Sequence, residues 1–218
     1  SFTLSNEANK RRGNHLITTS IEHDAILNTM RYLEEEEGFR VTYLPVDSNG
    51  KVSLEALKEA LCPETILVSI MYVNNEVGTV QPVEEAAKIV KEYNSNILMH
   101  SDAVQGFGKY HIYPKRQKID LLTVSGHKIH GPKGVGFIYI GEKVKIRPIL
   151  FGGGQQKDMR SGTENVPGIA GLGLAAKMSY RDLDMKVALM RELKAHFLEG
   201  LKQIDDITIH GVTDEGSA

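Results

Sequence analysis

The run Thr65-Ile66-Leu67-Val68-Ser69-Ile70-Met71-Tyr72-Val73 restricts the fold more than any other part of the chain. It is almost wholly apolar, rich in branched side chains, and shows no alternation of polar and apolar positions. A strand of this kind is buried on both faces, as in parallel sheets flanked by helices. The surrounding sequence agrees. Leu16–Thr19, Phe39–Val46, Ile97–Ala103, Leu121–Ser125 and Val135–Ile140 read as further strands. Between them, Ala25–Glu37 places Ile26, Met30 and Leu33 on one helical face before Gly38 stops it. Ser53 caps a helix over Leu54–Leu61, and Val83–Tyr93 forms another. Alternating strands and helices predict an α/β fold with a mostly parallel sheet. From Gly168 to Gln203 the pattern is helical with a break near Asp182–Asp184, and Ile207–His210 reads as a last strand.

Composition excludes several classes of function. A chain of 218 residues can bury a core without staples. Its single cysteine, Cys62, rules out an internal disulfide framework and a multi-cysteine metal centre. Lys and Arg number 26 against 28 Asp and Glu, which gives no electrostatic case for nucleic acid or an anionic membrane. No apolar run approaches the roughly 20 residues of a membrane-spanning helix, and no secretory signal opens the chain. A soluble, cytoplasmic protein is expected. An organellar location stays open because the N-terminus reads as an arbitrary start.

Ligands of open α/β sheets bind beyond the carboxyl ends of the strands. Those ends carry Glu22-His23, Asn74-Asn75-Glu76, Asp102 with Gln105, and Ser125-Gly126-His127-Lys128. Each has a plain structural reading. Lys128 in its Gly-rich turn is either a solvated loop residue or an amine held near the rim, able to form a Schiff base. Asp102 either caps the next element or holds a pyridine nitrogen protonated, with Gln105 donating to a ring substituent. His23 is structural, or acts catalytically by stacking on an aromatic ring or shuttling protons. A metal reading of His100, Asp102, His127 and His130 lacks a ligand spacing to support it, so no metal is expected. The segment Gly152–Thr163 suits phosphate with its backbone donors, or serves as a flexible connection.

Taken together and in this order, Thr18-Thr19-Ser20-Ile21-Glu22-His23, Asn74-Asn75-Glu76-Val77-Gly78, Ser101-Asp102-Ala103-Val104-Gln105, Ser125-Gly126-His127-Lys128-Ile129-His130-Gly131-Pro132-Lys133-Gly134 and Arg160-Ser161-Gly162-Thr163 are specific. They make the chain resemble the NifS/IscS-like cysteine desulfurases, pyridoxal-phosphate enzymes of the class V aminotransferase group, from about Gly13 to Gly211. The resemblance implies the aspartate-aminotransferase-like fold. Residues 1–183 would form most of the large cofactor domain and 184–218 the start of a smaller C-terminal α/β domain. It implies pyridoxal 5'-phosphate as cofactor, with Lys128 carrying it and moving the proton, and Asp102 at the ring nitrogen. His23 would stack over the ring, Asn75 and Gln105 would lie near its hydroxyl, and Ser125 and His127 would hold the phosphate. Thr163 would reach the phosphate of a neighbouring subunit, which implies a homodimer with shared sites. L-cysteine would become L-alanine, and the sulfur would leave as a persulfide for an acceptor or iron–sulfur scaffold protein. A selenocysteine lyase, another enzyme of the same fold, or a non-catalytic relative acting by interaction would share these segments.

The chain also departs from that pattern. The family's sulfur-attacking cysteine lies well beyond the Arg-Ser-Gly-Thr segment, and Cys62 does not match its position, so Cys62 receives no catalytic role and the chain by itself is expected to be inactive. Ser1-Phe2-Thr3 matches the start of a phosphate-binding loop, but Leu4 follows abruptly. Gln156 replaces a usual glutamate, and the arginine that meets the substrate carboxylate is absent.

Overall fold

The computed structural model describes residues 12–213, so the expected interruption between Thr3 and Leu4 lies outside the described residues. Six strands form one sheet: β1 (His15–Thr19), β2 (Arg40–Leu44), β3 (Thr65–Ser69), β4 (Leu98–Asp102), β5 (Leu121–Ser125) and β6 (Gly136–Ile140). Their spatial order is β2-β1-β3-β4-β5-β6. The first five are parallel, and β6 returns antiparallel to β5. The α/β fold with a mostly parallel sheet is as the sequence predicts.

Helices cover both faces. α1 (Asp24–Glu35) links β1 to β2 and packs Ile26, Met30 and Leu33 with Leu16 and Leu67. α2 (Leu54–Ala60) and α3 (Val83–Tyr93) cover the other face, where Leu57, Ala86 and Val90 meet Ile17, Val68 and Met99. Alternation along each strand divides the sheet: Leu16, Leu67 and His100 point one way, Ile17, Val68 and Met99 the other. Chain order reverses between β1 and β3, because β1 leads outward to β2 while the later strands build in the opposite direction. A crevice opens at such a switch point.

The apolar run at 65–73 outlasts β3 for a definable reason. Ile70 and Tyr72 still donate to His100 O and Asp102 O at 3.1 and 2.8 Å, so the side toward β4 stays paired. On the other side β1 has ended at Thr19, and Met71 N–H donates instead to Glu22 Oε1 at 2.7 Å. The run stays buried past the point where the ladder stops.

The helical stretch is broken where the sequence places the break: α4 (Val166–Tyr180) and α5 (Leu183–Leu201) meet at Arg181-Asp182, where Asp182 takes a left-handed φ of 53°. Leu183 anchors α5, whereas Met185, Leu189, Leu193 and Phe197, spaced four apart, are exposed. The strand expected over Ile207–His210 does not form. No described strand lies alongside it, Ile207 and Ile209 stay exposed, and an alternating pattern without a hydrogen-bonding neighbour has nothing to hold it extended. No described helix is long and apolar enough to cross a membrane.

Candidate active site

A cavity of about 310 Å³ opens at the carboxyl ends of β1, β3, β4 and β5, beside the switch point. His23, Asn75, Asp102, Gln105, Ser125, His127 and Lys128 all border it. Seven of the eight predicted site residues therefore share one space, although they come from four different strand ends. Thr163, the eighth, sits in an exposed loop and does not border this cavity. Most of that loop is exposed too, with Gln155, Met159 and Ser161 half-buried and Gln156, Lys157 and Asp158 in left-handed backbone.

Local folding explains each placement. His23 is the N-cap of α1, and its Nδ1 accepts from Ala25 N–H at 3.1 Å. An Nδ1 used as acceptor leaves the proton of the neutral ring on Nε2. Asp102 ends β4 with only 8% of its surface exposed, and its Oδ1 accepts from Val104 N–H at 2.9 Å. Its Oδ2 meets no donor among the described residues. Burial raises the pKa of this carboxyl, opposed by the Val104 N–H and by the neighbouring His23 ring. A cation against Oδ2 would remove that cost.

After β5 the chain makes a single 3₁₀ turn, Gly126–Ile129. Gly126 fits closely there: a Cβ would lie 3.0 Å from Val135 O and 3.1 Å from Leu172 Cδ1, tighter than ordinary contact. Ile129 packs against Leu172 and Ala175 of α4, which pins the turn. Lys128, one residue earlier, borders the cavity, and its Nζ makes no hydrogen bond to a described residue. Ser125 Oγ and His127 Nδ1 lie 2.9 Å apart at the adjoining wall.

Glu22 was not among the expected site residues, yet it ties the rim together. It is 5% exposed, and Oε1 accepts from Thr19 Oγ1 at 2.9 Å as well as from Met71 N–H. Oε2 is buried with no partner among the described residues. Burial above all, with the nearby charge of Asp102, pushes its pKa up to about 8, so at neutral pH it holds a proton. Asn74 reinforces the link by donating to Ile21 O at 2.9 Å. The loops bearing His23 and Asn75 are thereby fastened to each other. The sequence signal for Glu22 was an acidic residue directly before the histidine, which does not disclose its burial.

The metal reading also resolves. His100 is fully buried, with its ring nitrogens 2.8 Å from Ser69 Oγ and 3.2 Å from Thr123 Oγ1, and burial pushes its pKa down to about 3. It does not border the cavity. Cys62 lies at the opposite end of the sheet, where Arg40 Nη2 donates to Sγ at 3.1 Å and His15 Nδ1 is 3.3 Å away.

An open parallel sheet with an amine, a buried carboxyl and amide donors gathered at its switch point defines an α/β protein with a built ligand site. The chain belongs to the class-V aminotransferase family, which it matches over residues 2–217. It is 52% identical over 195 residues to a protein described as putative cysteine desulfurase IscS 1 of Bacillus subtilis, covering 89% of this chain and 51% of that protein. Among solved structures, a NifS-like protein superimposes with a TM-score of 0.90 at 45% identity, covering 94% of this chain and 56% of that one. A structure of SspA in complex with cysteine matches with a TM-score of 0.73 at 42% identity, over 80% and 48% of the two chains. The chain thus spans about half the length of the relatives it matches.

Proposed function

We propose that the protein is a pyridoxal-phosphate-dependent cysteine desulfurase, and that this chain holds the cofactor side of its active site. One observation carries the reading: a buried carboxylate oxygen and a lysine amine, each without a partner among the described residues, border the same cavity. A protonated pyridine nitrogen satisfies the first and an aldehyde the second, so the donor set fits this cofactor. The desulfurase names of the relatives and the cysteine bound by SspA support the choice of substrate.

In this reading Asp102 keeps the ring nitrogen protonated through Oδ2, and His23 covers the ring from the start of α1. Asn75 and Gln105 meet the ring oxygen, while Ser125 and His127 hold the phosphate. Lys128 Nζ anchors the cofactor, then takes and returns the proton at the substrate Cα. Bound there, the cofactor supplies the electron sink that makes that proton removable. Thr163 serves the phosphate of a second copy, which makes the enzyme a homodimer with shared sites. Residues 1–183 belong to the cofactor domain and 184–218 begin a smaller one. Sulfur leaves L-cysteine as a persulfide for an acceptor or iron–sulfur scaffold protein.

Incubation of the whole protein with cofactor, reductant and L-cysteine should yield alanine and sulfide in equal amounts. Bound cofactor with neither product would contradict the proposal.

A further inference from the structure

Gln105 stands between two cavities. It borders the one described above and a neighbouring one of about 340 Å³, which Lys109, Tyr110 and Arg191 also line. The chain from Ala103 to Tyr110 coils tightly: Gly106 and Phe107 N–H both donate to Ala103 O, and Lys109 and Tyr110 N–H both donate to Gly106 O. Gly106 permits this, because a Cβ there would lie 2.9 Å from the Tyr72 ring. Residues four apart in such a coil lie one above the other. Lys109 accordingly reaches back to Gln105, donating to its backbone O at 2.9 Å and its side-chain Oε1 at 3.1 Å.

A lysine ammonium has three donors and no acceptor, so the amide atom facing it must be oxygen. An amide held by its oxygen can turn only its N–H groups elsewhere. Gln105 Nε2 meets no acceptor among the described residues. Without Lys109 the two amide flips would be close in energy, and the wall could offer an acceptor as readily as a donor.

We infer that Lys109 is a positioning residue that locks the Gln105 amide in one flip, making this wall a hydrogen-bond donor that selects ligands with an oxygen acceptor there. The identity of the ligand rests on the cofactor reading above; the lock itself does not. Burial, together with the charge of Lys128, lowers the Lys109 pKa, as befits an ammonium enclosed beside a second cation.

Two measurements test the lock. In the ligand-free chain, the carbonyl ¹³C resonance of the Gln105 side chain reports hydrogen bonding at Oε1. It should move upfield in Lys109→Met and stay near its original position in Lys109→Arg; no movement in Lys109→Met overturns the inference. The second compares binding of pyridoxal 5'-phosphate and its 3-deoxy analogue, which lacks the ring oxygen. The preference of the original chain for the oxygen-bearing compound should fall by about tenfold in Lys109→Met, the equivalent of one hydrogen bond of about 1.4 kcal/mol. Gln105→Leu should lose the same factor, and Lys109→Arg should retain most of it. Intrinsic differences between the two compounds cancel across variants. An unchanged preference in Lys109→Met or Gln105→Leu overturns the inference. If the original chain binds neither compound, the cofactor reading fails instead, and the carbonyl resonance still decides whether Lys109 locks the amide.

Discussion

The two ends of the central sheet carry similar residues assembled to opposite purposes. At the amino ends, His15 lies 2.8 Å through each ring nitrogen from Thr65 Oγ1 and Thr42 Oγ1, and Cys62 fits between His15 and Arg40. These groups answer one another, and neither cavity reaches them. At the carboxyl ends, Asp102 Oδ2, Lys128 Nζ and Gln105 Nε2 face a cavity with no protein partner among the described residues. Asp102 is the buried member of this set, and because buried polar groups are normally satisfied, its open oxygen beside the exposed Lys128 amine and the half-buried Gln105 amide marks a place for a ligand. Residue type alone would not separate the ends: each offers a histidine beside hydroxyls, and the cysteine belongs to the closed one.

Glu22 gives the sharpest test, since it stands at the open end but is enclosed. Its carboxyl keeps a proton up to about pH 8 when folded and ionises near 4.5 when unfolded. The stability it contributes is therefore full below pH 4.5 and lost as pH rises through 8. Glu22→Gln should remove that slope. Relative to the original chain, the variant should gain up to about 4 kcal/mol between pH 5 and pH 8 in urea unfolding. Parallel pH profiles for the two proteins would show Glu22 already ionised.

Substitutions in the two clusters should then separate binding from stability. Asp102→Ala removes the carboxylate proposed to meet the ring nitrogen, and affinity for pyridoxal 5'-phosphate should fall by about a hundredfold, near 3 kcal/mol, with little change in unfolding. His15→Leu should do the reverse, costing about 2 kcal/mol of stability by removing the buried ring's two hydrogen bonds to the Thr42 and Thr65 hydroxyls while leaving cofactor affinity unchanged. Cys62→Ser keeps a polar atom beside Arg40 and His15. It should cost under about 1 kcal/mol and leave cofactor affinity unaltered. A large loss of affinity in either lower variant would break the contrast between the ends.

Much of this was legible in sequence because strand ends announce themselves. The apolar runs locate β1 to β6, and the polar residues following four of them line the cavity. Strand lengths were less legible. Apolarity at 65–73 reports burial, but the ladder beyond Ser69 depends on where β1 stops and on Glu22 taking the Met71 N–H. Ile207–His210 failed for the same reason, an alternating pattern without a neighbour. Glu22 and Met71 lie far apart in sequence, so their link could not be read from it. Gln105 and Lys109 are four apart, but no helical pattern in Ala103–Tyr110 disclosed the coil that stacks them.

Lys128 is the residue proposed to take the cofactor, and this assignment can be tested directly. The chain should be incubated with pyridoxal 5'-phosphate, reduced with borohydride, digested, and its lysine peptides weighed. A single pyridoxyl group on Lys128, absent from Lys128→Ala protein, is the predicted result. Label spread over surface lysines, or concentrated on a lysine outside the cavity, would contradict the account.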